Sequence, residues 1–135
     1  MPLFSWTSAL ATGVQLIDDD HHVLIDRLNV VLEALSQGRA NAMISTALND
    51  LVTYTQEHFA REESEMQRIN YSGIDAHKAE HAQLIKQVND LKAQLDAGSK
   101  IDRMALYNFL TRWLKNHILH VDMKLAQALR ESLTH

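Results

Sequence analysis

The sequence predicts an all-α fold, an up-down-up-down antiparallel four-helix bundle with an N-terminal arm. The 135 residues are enough for one domain, and they are 46% apolar with one proline and four glycines, which is typical of an ordered helical protein. Apolar residues recur at intervals of three and four in four successive segments, the period of a buried helix face. The connections between these segments are short, so neighbouring helices should pack antiparallel.

The whole chain, residues 1–135, is expected to form a single domain, with an arm over residues 1–17 and the bundle over residues 18–135. The arm is too apolar for a free tail, so we expect it to pack across the bundle. Its larger apolar residues are Phe4, Trp6, Val14 and Leu16.

The first predicted helix follows the acidic cluster Asp18 to Asp20, which can cap it and favour its positive end, and it stops near Gly38. Stepping back one turn from Leu24 and Ile25 reaches His21, so this histidine lies on the buried face. The apolar stripe of this helix is Leu24, Ile25, Leu28, Val31, Leu32 and Leu35.

The second predicted helix runs from about Asn41 to about Met66. Its stripe begins with Leu48, Leu51, Val52 and Thr55. The next positions on that face are His58, with Phe59 beside it, and then Glu62. Burying a lone charged carboxylate costs several kcal/mol or forces it to take up a proton, so something must compensate Glu62.

The third predicted helix begins near Asp75 and ends at Gly98, and two histidines, His77 and His81, again replace apolar residues on its stripe. The stripe continues through Leu84, Val88, Leu91 and Leu95.

The fourth predicted helix begins near Asp102, a suitable cap, and its stripe is Leu106, Leu110, Trp113, His117 and Val121. Asp122 follows His117 by five residues. At roughly 100° per residue, a regular helix would leave these two side chains about 140° apart, so both could not face the core. We therefore predict a bulge or break in this helix between His117 and Asp122.

Each of these polar residues has an ordinary explanation when it is taken alone. A single histidine on an apolar face is usually a hydrogen-bonded core residue, the pair His77 and His81 could form a simple zinc clip, and Glu62 could turn outward beside Glu63 and Glu65. Together they are too many polar groups for one small core unless metal ions hold them. The remaining histidines, His22, His120 and His135, are expected at the surface.

The ligand types limit which metal is expected. Imidazole and carboxylate without sulfur suit iron, zinc, copper or manganese, and facing helices of a bundle commonly hold a carboxylate-bridged metal pair. The Glu-x-x-His pattern of oxygen-activating di-iron bundles is absent from the sequence. If two six-coordinate irons share both carboxylates and one bridging oxygen, the five histidines leave one position vacant, which suits a small molecule bound end-on.

The bulk composition excludes several other classes of function. The net charge is −4 without a basic run, so nucleic acid is not an expected partner. Cysteine is absent, which excludes disulfides and thiolate sites. The first basic residue is Arg27 and no apolar run approaches a membrane span, so a cytoplasmic protein is expected.

Four stretches of the sequence resemble the successive signatures of the hemerythrins: "IDDDH" at 17–21, "HFAREE" at 58–63, "HKAEH" at 77–81 and "HILHVD" at 117–122. The early Trp6, Gly13 and Val14 are also similar to the start of the single-domain bacterial members. The similarity spans almost the whole chain, which would make it one hemerythrin-like domain. Asp20 stands where a Gln is common and His22 where a Lys is common, and neither is expected to touch a ligand.

The resemblance implies a metal site with two iron ions (Fe2+/Fe3+) joined by an oxo or hydroxo bridge. His77, His81 and His117 would saturate one iron, and His21 and His58 would bind the other, which keeps the vacancy for dioxygen. Two carboxylates, Glu62 and Asp122, would bridge the irons. The oxygen pocket wall is predicted, from positions next to or one turn from these ligands, to be Leu24, Phe59, Trp113, Leu114 and Ile118.

The function implied by the resemblance is reversible dioxygen binding for carriage or storage, or for sensing, without enzymatic activity. The length leaves no room for an output module, which places a sensor behind a carrier. Two alternatives remain: a hemerythrin-like enzyme in nitric oxide handling or iron-centre repair, and a structural zinc bundle. An oxygen-consuming protein partner is compatible with this function.

Overall fold

The computed structural model of the chain describes residues 3–132, apart from the side chain of residue 117. A short 3-10 turn, Ser8–Leu10, precedes the first long helix. The helices are α1 (Gln15–Ser36), α2 (Asn41–Arg68), α3 (Ile74–Asp96), α4 (Arg103–Arg112) and α5 (His120–Ser132). A π-helical segment, Trp113–Leu119, joins α4 to α5, and the three together form the fourth helix of the bundle. Within the described range the chain has no strand, and the predicted all-α four-helix bundle is confirmed.

Local sequence signals end the helices where the bundle needs the chain to reverse. Gly38 has φ +65, a left-handed conformation that favours glycine. Its amide donates to the Leu35 carbonyl and the Arg39 amide donates to the Ala34 carbonyl, which satisfies two of the last four carbonyls of α1. The predicted cap of the fourth helix is also present, since the Asp102 side chain accepts from the amides of the first turn.

The start of α1 differs from the prediction. The helix begins at Gln15 after Val14, which makes no side-chain cap, so it includes three residues that we assigned to the arm. The aspartates lie inside the helix and do not cap it. The Asp18 side chain instead contacts the arm. Its Oδ1 accepts from the backbone amide of Thr12 at 2.9 Å and from the Thr12 hydroxyl at 2.7 Å. Leu16 is consequently exposed on α1 and does not help to pack the arm.

The arm packs across the bundle, as its apolar content predicts. The Phe4 amide donates to Oδ1 of Asn29 at 2.7 Å, and the Asn29 side chain donates back to the Phe4 carbonyl at 2.8 Å. Phe4 and Trp6 are half-buried against the main core. At the other end of the arm, Arg130 of α5 donates to the Thr12 carbonyl. The arm is thus tied to both the first and the last helix.

The interior has two apolar clusters. The larger one fills most of the bundle and contains the predicted stripes of all four helices. The smaller one lies at the other end, and its buried members are Ile17, Met66, Leu125, Ala126 and Leu129. Burial follows the predicted stripes closely, although Leu91 and Val121 are only half-buried.

The predicted irregularity in the fourth helix is present, but it begins at Trp113, before the interval from His117 to Asp122 in which we predicted it. The π-helical segment covers Trp113 to Leu119 and therefore includes the backbone of His117. A π-helix has i→i+5 hydrogen bonds, which brings residues five apart closer to one face than an α-helix does. The change of phase explains why Asp122 is buried while Val121, which we placed on the stripe, is half-buried.

Among the described residues, every helix is too short or too polar to cross a membrane.

Candidate metal centre

A layer of polar side chains crosses the bundle between the two apolar clusters. On each long helix, the polar positions are preceded and followed by core residues about one turn away, as His21 is by Ile17 and Leu24. All six described members are at most 5% exposed: His21, His58, Glu62, His77, His81 and Asp122. The helical stripes therefore bring these predicted ligands together in one sealed layer.

One half of the layer is built around Asp122. Its Oδ2 lies 2.6 Å from Nε2 of His21 and 2.8 Å from Nε2 of His58. α1, α2 and α5 each contribute one of these groups. Two imidazoles and a carboxylate from three helices thus meet within hydrogen-bond distance.

The other half is built around Glu62, which α2 carries one turn after His58. Its Oε1 lies 3.1 Å from Nε2 of His81 and 3.6 Å from Nε2 of His77. The same oxygen is 3.5 Å from Nε2 of His58, while Oδ1 of Asp122 is 3.5 Å from Nε2 of His77. Both carboxylates therefore reach groups of both halves.

The layer fits two metal ions better than it fits hydrogen bonding alone. The layer contains two sets of potential metal-ligand atoms. Within each set the atoms lie within 4.8 Å of one another, and both sets include Asp122. Among the described residues, Oε2 of Glu62, Nε2 of His77 and Oδ1 of Asp122 are buried without a hydrogen-bond partner. At roughly 1–3 kcal/mol for each unpaired buried atom, these three cost about 3–9 kcal/mol, which is comparable to the whole stability of a domain. Metal ions would supply the missing partners.

Within the polar layer, one unpaired atom is not explained by such ions. Nδ1 of His21 is buried and lacks a partner in the described part of the chain, although Nε2 of the same ring contacts Asp122. We have no physical account of this nitrogen.

In the metal-free layer, the pKa values of the two carboxylates are shifted in opposite directions. Burial, and next the charge of Asp122, raise the pKa of Glu62 well above its ordinary value. Burial also acts to raise the pKa of Asp122, but its hydrogen bonds with His21 and His58, together with the charge of His58, outweigh burial and hold that pKa well below its ordinary value. Without metal, the layer therefore keeps a protonated Glu62 next to an ionised Asp122.

The pKa values of two of the histidines are also shifted in opposite directions. Burial acts to lower the pKa of His58, but its hydrogen bonds to Asp122 and Asp20 outweigh burial and raise the pKa to about 10. Burial lowers the pKa of His81 to about 4. A metal ion that binds His58 must therefore displace a proton, since a coordinating imidazole nitrogen carries none.

Two outer carboxylates were missed from the sequence. Oδ2 of Asp20 lies 2.8 Å from Nδ1 of His58, so the prediction that position 20 touches no ligand is wrong. Oε2 of Glu63 lies 3.0 Å from Nδ1 of His81, a contact that the sequence analysis did not predict. Each carboxylate directly adjoins a predicted ligand in the sequence but contacts a histidine on another helix. The spacing of Tyr54, His58 and Arg61 on one face of α2 was the available signal for Asp20.

The predicted wall residues are all buried in the larger apolar cluster. They are Leu24, Phe59, Trp113, Leu114 and Ile118. Phe59 also stacks on the His81 ring with centroids 3.7 Å apart. That these five side chains line an oxygen-binding position stays a prediction.

The histidines expected outside the layer are exposed where the structure describes them. His22 is exposed, lies 3.9 Å from the Trp6 ring between centroids, and contacts no predicted ligand in the described contacts. His120 is exposed as well. His135 and the side chain of His117 lie outside the described part of the structure.

Comparison with known proteins gives consistent matches over nearly the whole chain. Residues 12–129 match the family model described as the hemerythrin HHE cation binding domain. The chain is 35% identical over 129 residues to the bacteriohemerythrin of Pseudomonas paraeruginosa, covering 96% of this chain and 83% of the relative. It is 36% identical over 123 residues to the bacteriohemerythrin of Methylococcus capsulatus, covering 90% and 93%. The crystal structure of wild-type hemerythrin is similar with a TM-score of 0.84 and 34% identity, over 95% of this chain and 98% of that chain.

Proposed function

The chain belongs to the hemerythrin family, and from this membership we propose that it binds dioxygen reversibly at a non-haem di-iron centre, for oxygen carriage or storage. The observation that supports this most is the position of Asp122, whose carboxylate belongs to both sets of potential metal ligands. A shared carboxylate is the arrangement that holds two metal ions side by side in a bundle core.

The proposed ligand assignment follows the two halves of the layer. His21 and His58 would hold one iron, His77 and His81 would hold the other, and Asp122 would bridge them. Glu62 would be the second bridging carboxylate, since its Oε1 lies between His81 and His58. The role of His117 as the third histidine of its iron rests on the family resemblance and on its place in the π-helical segment.

Two ferrous ions at these positions, held with an oxo or hydroxo group, would each supply one electron for the reversible reduction of dioxygen. The chain's own residues do the rest. The larger apolar cluster on one side of the layer and the smaller one on the other keep water from the centre. The helices fix the imidazoles in place, so little reorganisation is needed when a small molecule enters.

The surroundings of the site favour a binding function without enzymatic activity. The iron held by two histidines would keep an open position, and the predicted wall beside it is apolar and buried. Such a wall suits a diatomic molecule and offers no polar group to orient a larger substrate. We further propose a cytoplasmic location and a recipient protein for the oxygen.

Metal content and an oxygen-dependent absorption band test the proposal. The protein is loaded with Fe2+ without oxygen, its iron per chain is counted, and the spectrum is recorded before and after air is admitted. We expect two irons per chain and a new ligand-to-metal band. Asp122→Leu should lose both, while Asp26→Leu on the exposed side of α1 should keep both. A protein that binds only zinc and stays colourless would overturn the proposal.

A further inference from the structure

Asp20 is a buried carboxylate that one face of the neighbouring helix surrounds with donors. It is 5% exposed and lies on α1 directly before His21. Its partners on α2 are Tyr54, His58 and Arg61, spaced four and three residues apart, which places them on one helix face. Three side chains of α2 thus converge on a single group of α1.

The hydrogen bonds saturate both oxygens of Asp20. Oδ1 accepts from the Tyr54 hydroxyl at 2.8 Å and from Nη2 of Arg61 at 2.9 Å. Oδ2 accepts from Nε of Arg61 at 2.9 Å and faces Nδ1 of His58 at 2.8 Å. The fork-like pairing with a guanidinium fixes the plane of the carboxylate as well as its position. The guanidinium also lies 5.3 Å above the Tyr54 ring, which holds it from a second side.

The hydrogen bonds that clamp Asp20 between Arg61 and Tyr54 determine which nitrogen of His58 faces the metal layer as a ligand. A carboxylate paired with a guanidinium accepts hydrogen bonds and has no proton to donate, so Nδ1 of His58 must carry the hydrogen. Nε2 is then the nitrogen that points into the layer, 2.8 Å from Asp122 and 3.5 Å from Glu62. A carboxylate behind a metal-binding imidazole also raises its basicity.

The other half of the layer has a weaker counterpart. Oε2 of Glu63 lies 3.0 Å from Nδ1 of His81, but its side chain is 29% exposed. Its cationic neighbour, Nζ of Lys78, is 4.0 Å away on a side chain that is 45% exposed. An exposed pair at that distance contributes little, so Glu63 is held less firmly than Asp20.

We propose that Asp20, clamped by Arg61 and Tyr54, is a positioning residue that locks His58 with Nε2 toward the metal and so strengthens the binding of a divalent transition metal at the position held by His21 and His58. This inference rests on the proposed function only for the presence of two metal positions. Because outer carboxylates of this kind typically change metal affinity about 10–100-fold, the asymmetry between Asp20 and Glu63 should be measurable.

A stepwise titration of the metal-free protein with Co2+ tests the inference without oxygen chemistry. Co2+ reports each filled site through its visible absorption, so the two binding steps are resolved. We expect Asp20→Asn to weaken one of the two steps about 10–100-fold and to leave the other unchanged. The matched variant Glu63→Gln should instead weaken the other step.

Two graded variants and a spectrum keep the test independent of folding. Arg61→Lys keeps the positive charge but loses the paired guanidinium hydrogen bonds to Asp20, and Tyr54→Phe removes one donor to Oδ1. Each variant should therefore weaken the same binding step less than Asp20→Asn does. In the zinc-loaded parent, nitrogen NMR should show His58 with hydrogen on Nδ1 and metal on Nε2. Asp20→Asn should shift the Nδ1 resonance toward that of a more weakly hydrogen-bonded group.

The inference is overturned if both Co2+ steps of Asp20→Asn match those of the parent, or if both weaken equally along with thermal stability. Two Co2+ ions per parent chain with either result would leave the proposed function standing. Fewer than two per parent chain would overturn the proposed function and this inference together.

Discussion

Leu114→Asn should shorten the lifetime of the oxygen-bound protein while it leaves the metal ligands in place. Leu114 is 0% exposed, belongs to the larger apolar cluster and is one of the five predicted wall residues. An amide at this position would bring a polar group, and with it water, beside the open position. Water and protons then promote irreversible loss of the reduced oxygen, which a dry wall prevents.

The same substitution should also lower stability by a calculable amount. Losing a fully buried leucine side chain removes about 1.5–3 kcal/mol of apolar burial. An amide without a partner adds roughly 1–3 kcal/mol, so the expected loss of stability is about 2.5–6 kcal/mol. That is large enough to need a control of equal cost. Leu106, 2% exposed in the same cluster and two turns earlier along the fourth helix, provides it.

The assay compares the decay of the oxygen-induced absorption band in the parent, Leu114→Asn and Leu106→Asn at several pH values. We expect faster decay in Leu114→Asn alone, although both variants should lose similar free energy of unfolding in urea. If Leu114→Asn decays no faster than the parent at any pH, Leu114 does not line the open position. Equally fast decay in Leu106→Asn would mean that general instability is the cause.

Three further predictions concern stability. Removing metal with a chelator should lower the thermal midpoint markedly, because the layer then holds buried polar atoms without partners, and equal midpoints would refute this. Hydrogen bonds from Ser45, and next from Lys92, lower the pKa of Asp96, so the ionised carboxylate stabilises the fold above its ordinary pKa and this stabilisation fades as the pH falls. Asp96→Asn should therefore lower the free energy of unfolding in urea at neutral pH and have little effect in acid. A loss of stability that does not depend on pH would contradict this role of Asp96. Gly38→Ala should cost about 1 kcal/mol in urea unfolding because φ is +65 there, and an unchanged midpoint would show that the helix end relaxes freely.

The periodic stripes predicted most of the fold and the polar layer because burial on a helix repeats with its turn. His21, His58 and His77 could be recognised as buried from their own helices alone. Even the irregularity near His117 followed from a five-residue spacing that a regular helix cannot accommodate. Those inferences need only the period of one helix.

Contacts between helices were harder to predict. Asp20 is one residue from His21 and so points about 100° away from it, toward α2, which no single stripe reveals. The start of α1 was misplaced for a related reason. Three aspartates look like a helix cap, but Asp18 uses its carboxylate to hold Thr12 in the arm, a contact that depends on the path of the preceding chain.

Oxygen uptake by the anaerobically reduced, iron-loaded protein shows whether dioxygen binds reversibly. The protein is mixed with oxygen in a stopped-flow instrument, the dioxygen consumed is measured, and the sample is then flushed with argon through several cycles. We expect one dioxygen bound for every two irons, with a band that disappears on flushing and returns in full on re-exposure. Continued oxygen consumption, or a band that does not reverse, would contradict reversible binding at this site.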